Sequence, residues 1–89
     1  MRLDKWLKVS RIIKRRTIAN EVCDKEKIII NGKIAKASSE VKINDIVEIN
    51  MGNRKTVFEI LSVPTIGNVT VQEAKEMYKM ISSEKEEEI

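Results

Sequence analysis

The chain has 89 residues, with 17 lysine and arginine residues, 14 aspartate and glutamate residues and a net charge of +3. This length provides for one domain with a small core. A single cysteine excludes an internal disulfide, and the lack of histidine removes the usual zinc ligands and the commonest general base, so neither a cofactor nor catalysis is expected. No apolar run approaches the roughly 20 residues that span a bilayer, and the start resembles no signal peptide, so we expect a cytoplasmic protein.

The charge is unevenly distributed along the chain. Residues 1–16 contain seven bases and one acid, a net charge of +6, whereas the segment from Glu73 onward contains six acids and three lysines, a net charge of −3. Such asymmetry is typical of a surface for a polyanion near one terminus and a solvated segment near the other.

The first predicted element is an amphipathic helix from about residue 3 to residue 9, fraying toward residue 13. At about 100° per residue, one arc of this helix is apolar and the opposite arc is basic. The apolar arc contains Leu3, Trp6, Leu7, Val9, Ser10 and Ile13. Trp6 is therefore assigned to the core rather than to base stacking.

A second helix is predicted after the cationic turn Lys14–Arg16. Thr17 suits its N-cap, because a hydroxyl can accept from a free amide of the first turn, and an anion could bind near this helix end. The helix then continues to about Lys25, with Cys23 as a small core residue.

Short strands with tight turns follow. Asn31-Gly32 is a strong hairpin signal, and turns are also predicted at Asn44-Asp45 and Gly52-Asn53. The predicted strands are Ile28–Ile30, Lys33–Lys36, Val41–Ile43, Ile46–Ile49 and Lys55–Val63, the last ended by Pro64.

The last predicted element is a helix that opens on the capping-box pattern of Thr70–Glu73 and continues through Ala74, Met77, Tyr78 and Ile81. We expect an α+β fold in which two N-terminal helices pack on a small, mostly antiparallel sheet, with a C-terminal helix in addition. The predicted division is an RNA-binding domain over residues 1–63, a helical extension over 64–82 and a disordered acidic tail over 83–89.

The basic arc and the turn are the main candidate site. Lysine and arginine on one rigid face can neutralise successive phosphates, and arginine adds bidentate contacts. A solvated face usually carries both signs of charge at i,i+4 spacing, whereas seven of the eight charges here are positive. The predicted RNA-binding residues are Arg2, Asp4, Lys5, Lys8, Arg11, Lys14, Arg15, Arg16 and Thr17, extended by Lys33 and Lys36 after the hairpin turn.

Asp4 is the one acid among these bases, and three interpretations remain open. It could orient a neighbouring arginine such as Arg11 or Arg15, accept from an exposed base of the RNA, or serve as a first-turn acid favoured by the helix dipole.

The segments Arg2–Leu7 and Lys14–Thr17, with Lys8 and Arg11 between them, resemble the opening of the S-four domain, an RNA-binding module. The segment Ile30–Lys33 is similar to the V-N-G-K turn of that family, and Val41–Ile46 is similar to its V-x-x-G-D-x-I strand entry. The likeness covers about residues 1–50. Asn44 stands where the family usually has glycine, and asparagine is the next best residue in a left-handed turn.

The resemblance implies the S-four-like (alpha-L) fold, with the helical pair and its basic loop docked on structured RNA. Within the family, the chain resembles the members without a catalytic domain. This resemblance implies a monomer that binds the large ribosomal subunit after a stalled ribosome splits, and that contacts its ribosomal RNA and peptidyl-tRNA. An RqcH-type quality-control factor would be the partner while alanines are added to the C-terminus of the nascent chain. A related alternative is a heat-shock-type factor for stranded large subunits.

Two further hypotheses remain open at this point. The first is an RNA chaperone or regulator that binds tRNA or mRNA away from the ribosome. The second is a protein adaptor whose basic helix meets an acidic partner.

Overall fold

The computed structural model describes residues 1–65 and 69–85. Within these residues, three helices and five strands follow one another in the order α1, α2, β1, β2, β3, β4, α3 and β5. Their bounds are α1 Leu3–Val9, α2 Arg16–Asp24, β1 Ile28–Ile30, β2 Lys33–Ile34, β3 Ile46–Met51, β4 Arg54–Ile60, α3 Val71–Lys75 and β5 Tyr78–Lys85. The architecture is α+β, as predicted, and the strands form one antiparallel sheet in the order β2-β1-β3-β4-β5. Among the described residues, no helix is long and apolar enough to cross a bilayer.

Helix α1 has the predicted bounds, and its first turn is tied to a later loop. The amides of Leu3 and Asp4 have no partner within the helix, and they donate to the carbonyls of Ser39 and Ala37. The helix ends at Val9, and Arg11, two residues later, takes a left-handed conformation with φ of 64°. Arg11 therefore lies in the turn that leads to α2 and not in the helix.

Helix α2 begins two residues earlier than predicted. Arg15 occupies the N-cap position with extended backbone angles, and no side chain caps this helix end. The assignment of Thr17 as N-cap is therefore wrong. The helix packs against α1 and ends at Asp24, close to the expected Lys25.

The core lies between α1, α2 and one face of the sheet. The inward strand residues include Ile28, Val47, Ile49, Phe58 and Ile60, all of which are buried. Trp6 is completely buried, and its ring stacks on Phe58 with centroids 5.6 Å apart. The indole Nε1 donates to the carbonyl of Ser62 at 3.0 Å, which joins α1 to the segment after β4. The assignment of Trp6 to the core is confirmed.

The hairpin turn between β1 and β2 is confirmed and is linked to a second turn. Asn31 and Gly32 have φ of 50° and 82°, the left-handed pair that a tight two-residue hairpin requires. The Asn31 side chain donates to Asp45 at 3.0 Å and accepts from the amide of Ile46 at 2.9 Å. Asn44, with φ of 77°, makes the predicted left-handed turn before β3.

The strand predictions are wrong in three places. Strand β2 stops at Ile34, and β4 stops at Ile60 rather than Val63. Residues 41–43 form no strand, because the carboxylate of Asp45 accepts from the amide of Lys42 at 2.8 Å and closes a local turn.

The C-terminal helix is much shorter than predicted. The capping box at Thr70 and Glu73 is present, but α3 ends at Lys75. Residues 78–85 form β5, which pairs with β4 from Tyr78 opposite Ile60 to Lys85 opposite Arg54. Pairing with β5 satisfies the backbone hydrogen-bonding groups along one edge of β4, and Met77 packs into the core. A longer helix would leave that edge unpaired.

The prediction of a helix through Ile81 is therefore wrong, as is disorder at residues 83–85, which lie in β5. The expected disorder of residues 86–89 falls outside the described residues. The division of the chain after residue 63 stays a prediction.

Candidate RNA-binding surface

The centre of the candidate surface is the carboxylate of Asp4. Its side chain is only 2% exposed, although helical spacing placed it on the solvent arc with the lysines, so that part of the prediction is wrong. Burial of a charged carboxylate is unfavourable unless several donors compensate it. Each oxygen of Asp4 accepts from at least two donors, so the carboxylate is fully compensated.

Two arginines share this carboxylate. Nε and Nη2 of Arg2 donate to the two oxygens of Asp4 at 3.3 and 3.4 Å, and Nε of Arg16 donates to Oδ2 at 3.3 Å. Arg2 precedes α1 and Arg16 opens α2, so a single acid joins the starts of both helices. The prediction that Asp4 orients an arginine names the wrong partners, because Arg11 and Arg15 do not bond to it.

The two guanidinium groups remain accessible on their outer sides. The side chains of Arg2 and Arg16 are 50% and 48% exposed, and Arg16 holds Asp4 through Nε alone. Among the described residues, neither terminal nitrogen of Arg16 has a hydrogen-bond partner, so both can donate to an external oxyanion. Two arginines on one aspartate leave a net positive charge held in a defined geometry.

Asp4 also has the helix-terminal role that the sequence left open. Its Oδ1 accepts from the backbone amide of Lys5 at 2.8 Å, one of the free amides in the first turn of α1. One carboxylate therefore stabilises the helix start and orients two arginines.

The hydrogen bonds determine the ionisation of Asp4. Burial raises the pKa of its carboxyl, but the Lys5 amide, the Arg16 guanidinium and the Asn20 amide together lower the pKa below the ordinary value of 3.8. Asp4 is therefore fully charged at neutral pH.

Asn20 is a member of the cluster that the sequence interpretation missed. Its Nδ2 donates to Oδ2 of Asp4 at 3.4 Å. A signal was present, since Arg16 and Asn20 are four residues apart and so share one face of α2. The sequence alone did not show that this face meets Asp4.

The remaining predicted residues differ in their relation to this cluster. Lys5 lines a depression with Arg2 and Arg16, and Thr17 lines a second depression with Asp4 and both arginines. Four other bases are exposed along α1 and the turn that follows it, namely Lys8, Arg11, Lys14 and Arg15. These residues extend the positive surface without contacting Asp4.

The two lysines after the hairpin turn differ in their surroundings. Lys36 shares a groove with Arg2, but Asp24 and Glu26 line the same groove and offset its charge. Lys33 is exposed on β2, at the sheet edge opposite β5. Their membership of the RNA-binding surface stays a prediction.

Cys23 is a structural residue. It is 3% exposed, and burial, with smaller contributions from Asp4 and Asp24, raises the pKa of its thiol to about 11. A neutral, buried thiol is a poor nucleophile at pH 7. Among the described residues, no group of three potential metal-ligating side chains is present.

Comparison with known proteins identifies one matching family and several relatives that have the same name. The model of the S4 domain, the S-four family, matches residues 1–47. A Streptococcus pneumoniae protein named RQC P-site tRNA stabilizing factor is 49% identical over 88 residues, covering 99% of this chain and 98% of the relative. Other bacterial relatives of at least 42% identity have the same name.

Two solved structures share the fold. One is the trimeric structure of heat shock protein 15 from Vibrio cholerae, with a TM-score of 0.80 and 28% identity, covering 92% of this chain and 82% of that one. The other is the solution structure of a hypothetical protein, HP1423, with a TM-score of 0.79 and 31% identity, covering 94% of this chain and all of that one.

Proposed function

Because the chain belongs to the S4 domain family and to its members named RQC P-site tRNA stabilizing factor, we propose that it is a non-enzymatic RNA-binding protein of ribosome-associated quality control. It binds the large ribosomal subunit after a stalled ribosome splits, and contacts ribosomal RNA and peptidyl-tRNA. Holding the tRNA in place allows alanines to be added to the C-terminus of the nascent chain.

One observation carries this proposal, namely the pair of half-exposed arginines fixed on the buried Asp4 carboxylate. Flexible surface bases lose side-chain entropy when they bind a phosphate. Arg2 and Arg16 have already lost part of that freedom, so a larger share of their interaction with phosphate contributes to affinity. Lys5 and the bases of α1 and the following turn add electrostatic attraction around them.

The proposed site contains all the predicted residues, with Arg2 and Arg16 as the main contacts. Asp4 acts through those two arginines and does not itself contact RNA. The protein acts by position, as a monomer beside an RqcH-type factor that brings alanyl-tRNA, and it supplies no reactive group.

The first test is co-sedimentation with large subunits that carry peptidyl-tRNA. Arg16→Ala and Arg2→Ala are each expected to weaken association about tenfold, the loss of one oriented charged hydrogen bond of about 1.4 kcal/mol. Arg54→Ala is the matched control, because Arg54 is an exposed arginine at the β3–β4 hairpin.

Circular dichroism should show native helix content in all three variants, since each altered side chain is about half exposed or lies at a hairpin end. Normal co-sedimentation of both Arg2→Ala and Arg16→Ala would contradict the assignment of this surface.

The second test identifies the RNA by crosslinking and sequencing in cells. Large-subunit rRNA and tRNA should dominate the crosslinks. A dominant mRNA signal would favour an RNA chaperone instead, and complexes that survive nuclease treatment would favour a protein adaptor.

A heat-shock-type factor for stranded large subunits is the second candidate, supported by the likeness to heat shock protein 15. The two candidates differ in what a deletion strain should lose. Absence of alanine tails on stalled chains supports the quality-control role, whereas tails at normal levels favour the heat-shock-type role.

A further inference from the structure

A depression beside the arginine cluster combines positive charge with an apolar wall. Arg2, Lys5 and Arg16 supply the charge of its lining, and Val63 and Pro64 supply an apolar wall. Val63 is half-buried against the core, so its remaining surface is an accessible apolar patch. The three cations alone would suffice to bind phosphates. The apolar wall beside them favours a ligand that also has a hydrophobic face.

The apolar wall is held in place next to the cations. The Trp6 indole donates to the carbonyl of Ser62, directly before Val63, and Trp6 follows Lys5 on α1. The wall and the charged side are thereby joined through a completely buried side chain. A site that is formed before its ligand arrives loses less entropy on binding.

The shape of duplex RNA does not match this combination. In an A-form helix the base faces are stacked inside, and a protein meets phosphates and 2′-hydroxyls in a shallow groove. A duplex lying on the three cations would leave Val63 and Pro64 in contact with water. An unpaired nucleotide has both parts, an anionic phosphate and an exposed apolar base face.

The size and rim of the depression also suit one nucleotide. Its volume is about 590 Å³, within the range of about 300–1,000 Å³ common for small-ligand sites. Glu40 and Thr65 line the rim and are exposed. A carboxylate only accepts hydrogen bonds, so Glu40 favours a base with an exocyclic amino group over uracil, whose one base donor, N3–H, lies between two carbonyl oxygens that a carboxylate repels. The Thr65 hydroxyl can donate or accept.

We propose that this depression binds one unpaired nucleotide of the RNA, with its phosphate on Arg2, Lys5 and Arg16 and its base against Val63 and Pro64. The inference rests on the proposed RNA binding and specifies the RNA class. The chain recognises a loop or bulge, and adenine, cytosine or guanine is preferred over uracil at this position.

The experiment measures binding to two short RNA hairpins by fluorescence anisotropy at several salt concentrations. One hairpin carries a single bulged adenosine, and the other is the same hairpin without the bulge. Wild-type protein should bind the bulged hairpin at least threefold more tightly. A third hairpin with a bulged uridine should bind more weakly than the adenosine form.

Variants separate the base contact from the phosphate contacts. Pro64→Ala should reduce the preference for the bulge and leave the salt dependence unchanged, because it removes no charge. Arg16→Ala should weaken binding to both hairpins and lower the slope of log K against log salt by about one. Val71→Ala is the control, since Val71 is an exposed apolar residue on α3 outside the depression.

Glu40→Gln on the exposed rim is a second variant, expected to reduce the discrimination between bulged adenosine and uridine. Equal binding of wild type to bulged and unbulged hairpins overturns the inference. An unchanged bulge preference in Pro64→Ala together with unchanged discrimination between adenosine and uridine in Glu40→Gln overturns it as well. If subunit binding still depends on Arg2 and Arg16, only this inference fails; if it does not, the proposed function fails.

Discussion

Two acid-base clusters in this protein differ in a way that explains why one is suited to RNA. Asp4 is 2% exposed and holds two arginines, whereas the side chain of Glu48 is 24% exposed and holds a single lysine, Lys55, at 3.1 Å. Both carboxyls have a pKa below the ordinary value. For Glu48 the main causes are hydrogen bonds from Asn50 and Lys55.

The difference lies in what remains after each acid is neutralised. The Glu48–Lys55 pair has no net charge, and as an accessible pair on the sheet it contributes little to stability. The Asp4 cluster has one positive charge in excess, and its arginines keep donors free. A buried acid can therefore increase the capacity of a surface to bind an anion, provided that it orients more bases than it neutralises.

The largest expected difference between the clusters is in stability. Asp4→Ala removes the acceptor of the Lys5 amide and the link between α1 and α2, at a cost of about 1–3 kcal/mol for buried hydrogen-bonding groups that lose their partner. Thermal unfolding should show a melting temperature lower by roughly 10 °C. Glu48→Ala should cost less than about 1 kcal/mol. Equal losses in the two variants would contradict this comparison.

The next effect is on RNA affinity. Arg16→Lys keeps the charge, but a lysine cannot hold Asp4 through one nitrogen and present two others to a phosphate. Binding to large subunits should weaken roughly threefold to tenfold. In the second cluster Lys55→Arg is expected to leave binding unchanged. A wild-type affinity for Arg16→Lys would show that charge alone is needed.

A smaller effect is expected on the stability of the protein at acid pH. Because folding lowers the pKa of Asp4, its ionised form stabilises the protein fully above the ordinary pKa of 3.8, and this contribution is lost as the pH falls through the lower folded pKa. Asp4→Asn should therefore flatten the dependence of unfolding free energy on pH below about 4, measured by urea unfolding. Glu48→Gln has the same sign, because the pKa of Glu48 is also lowered.

The smallest effect sharpens the comparison within the Asp4 cluster. Asn20→Leu removes one weak donor of 3.4 Å and leaves both arginines in place. The free energy of unfolding should fall by about 0.5–1.5 kcal/mol, the contribution of a typical hydrogen bond. Large-subunit binding should fall less than in Arg16→Ala. A larger loss in Asn20→Leu would mean that the amide, and not the carboxylate, organises the site.

The features that depend on neighbours along the chain were predictable from the sequence. The bounds of α1 follow from the spacing of its apolar residues, and the turns at Asn31-Gly32 and Asn44 follow from residues that tolerate positive φ. The assignment of Trp6 to the core follows from the same periodicity. The excess of positive charge near the N-terminus is a property of composition and needs no fold.

Other features were decided only by tertiary structure. The capping box correctly predicted where α3 starts, but the open edge of β4 turned residues 78–85 into a strand. The periodicity of α1 placed Asp4 in solvent, yet α2 covers it with Arg16 and Asn20. Likewise, Trp6 brings the Val63–Pro64 wall next to the N-terminal cations from more than 50 residues away in the chain.

The physical reason is the range of the interactions. Helical periodicity and turn preference act over about four residues, so a sequence states them directly. Which side chains meet across two helices, and which strand edge remains to be covered, depend on how complete elements pack. The sequence by itself thus determined the charge and the local elements of this surface, and the packing of α1 on α2 decided that Asp4 holds Arg2 and Arg16 together.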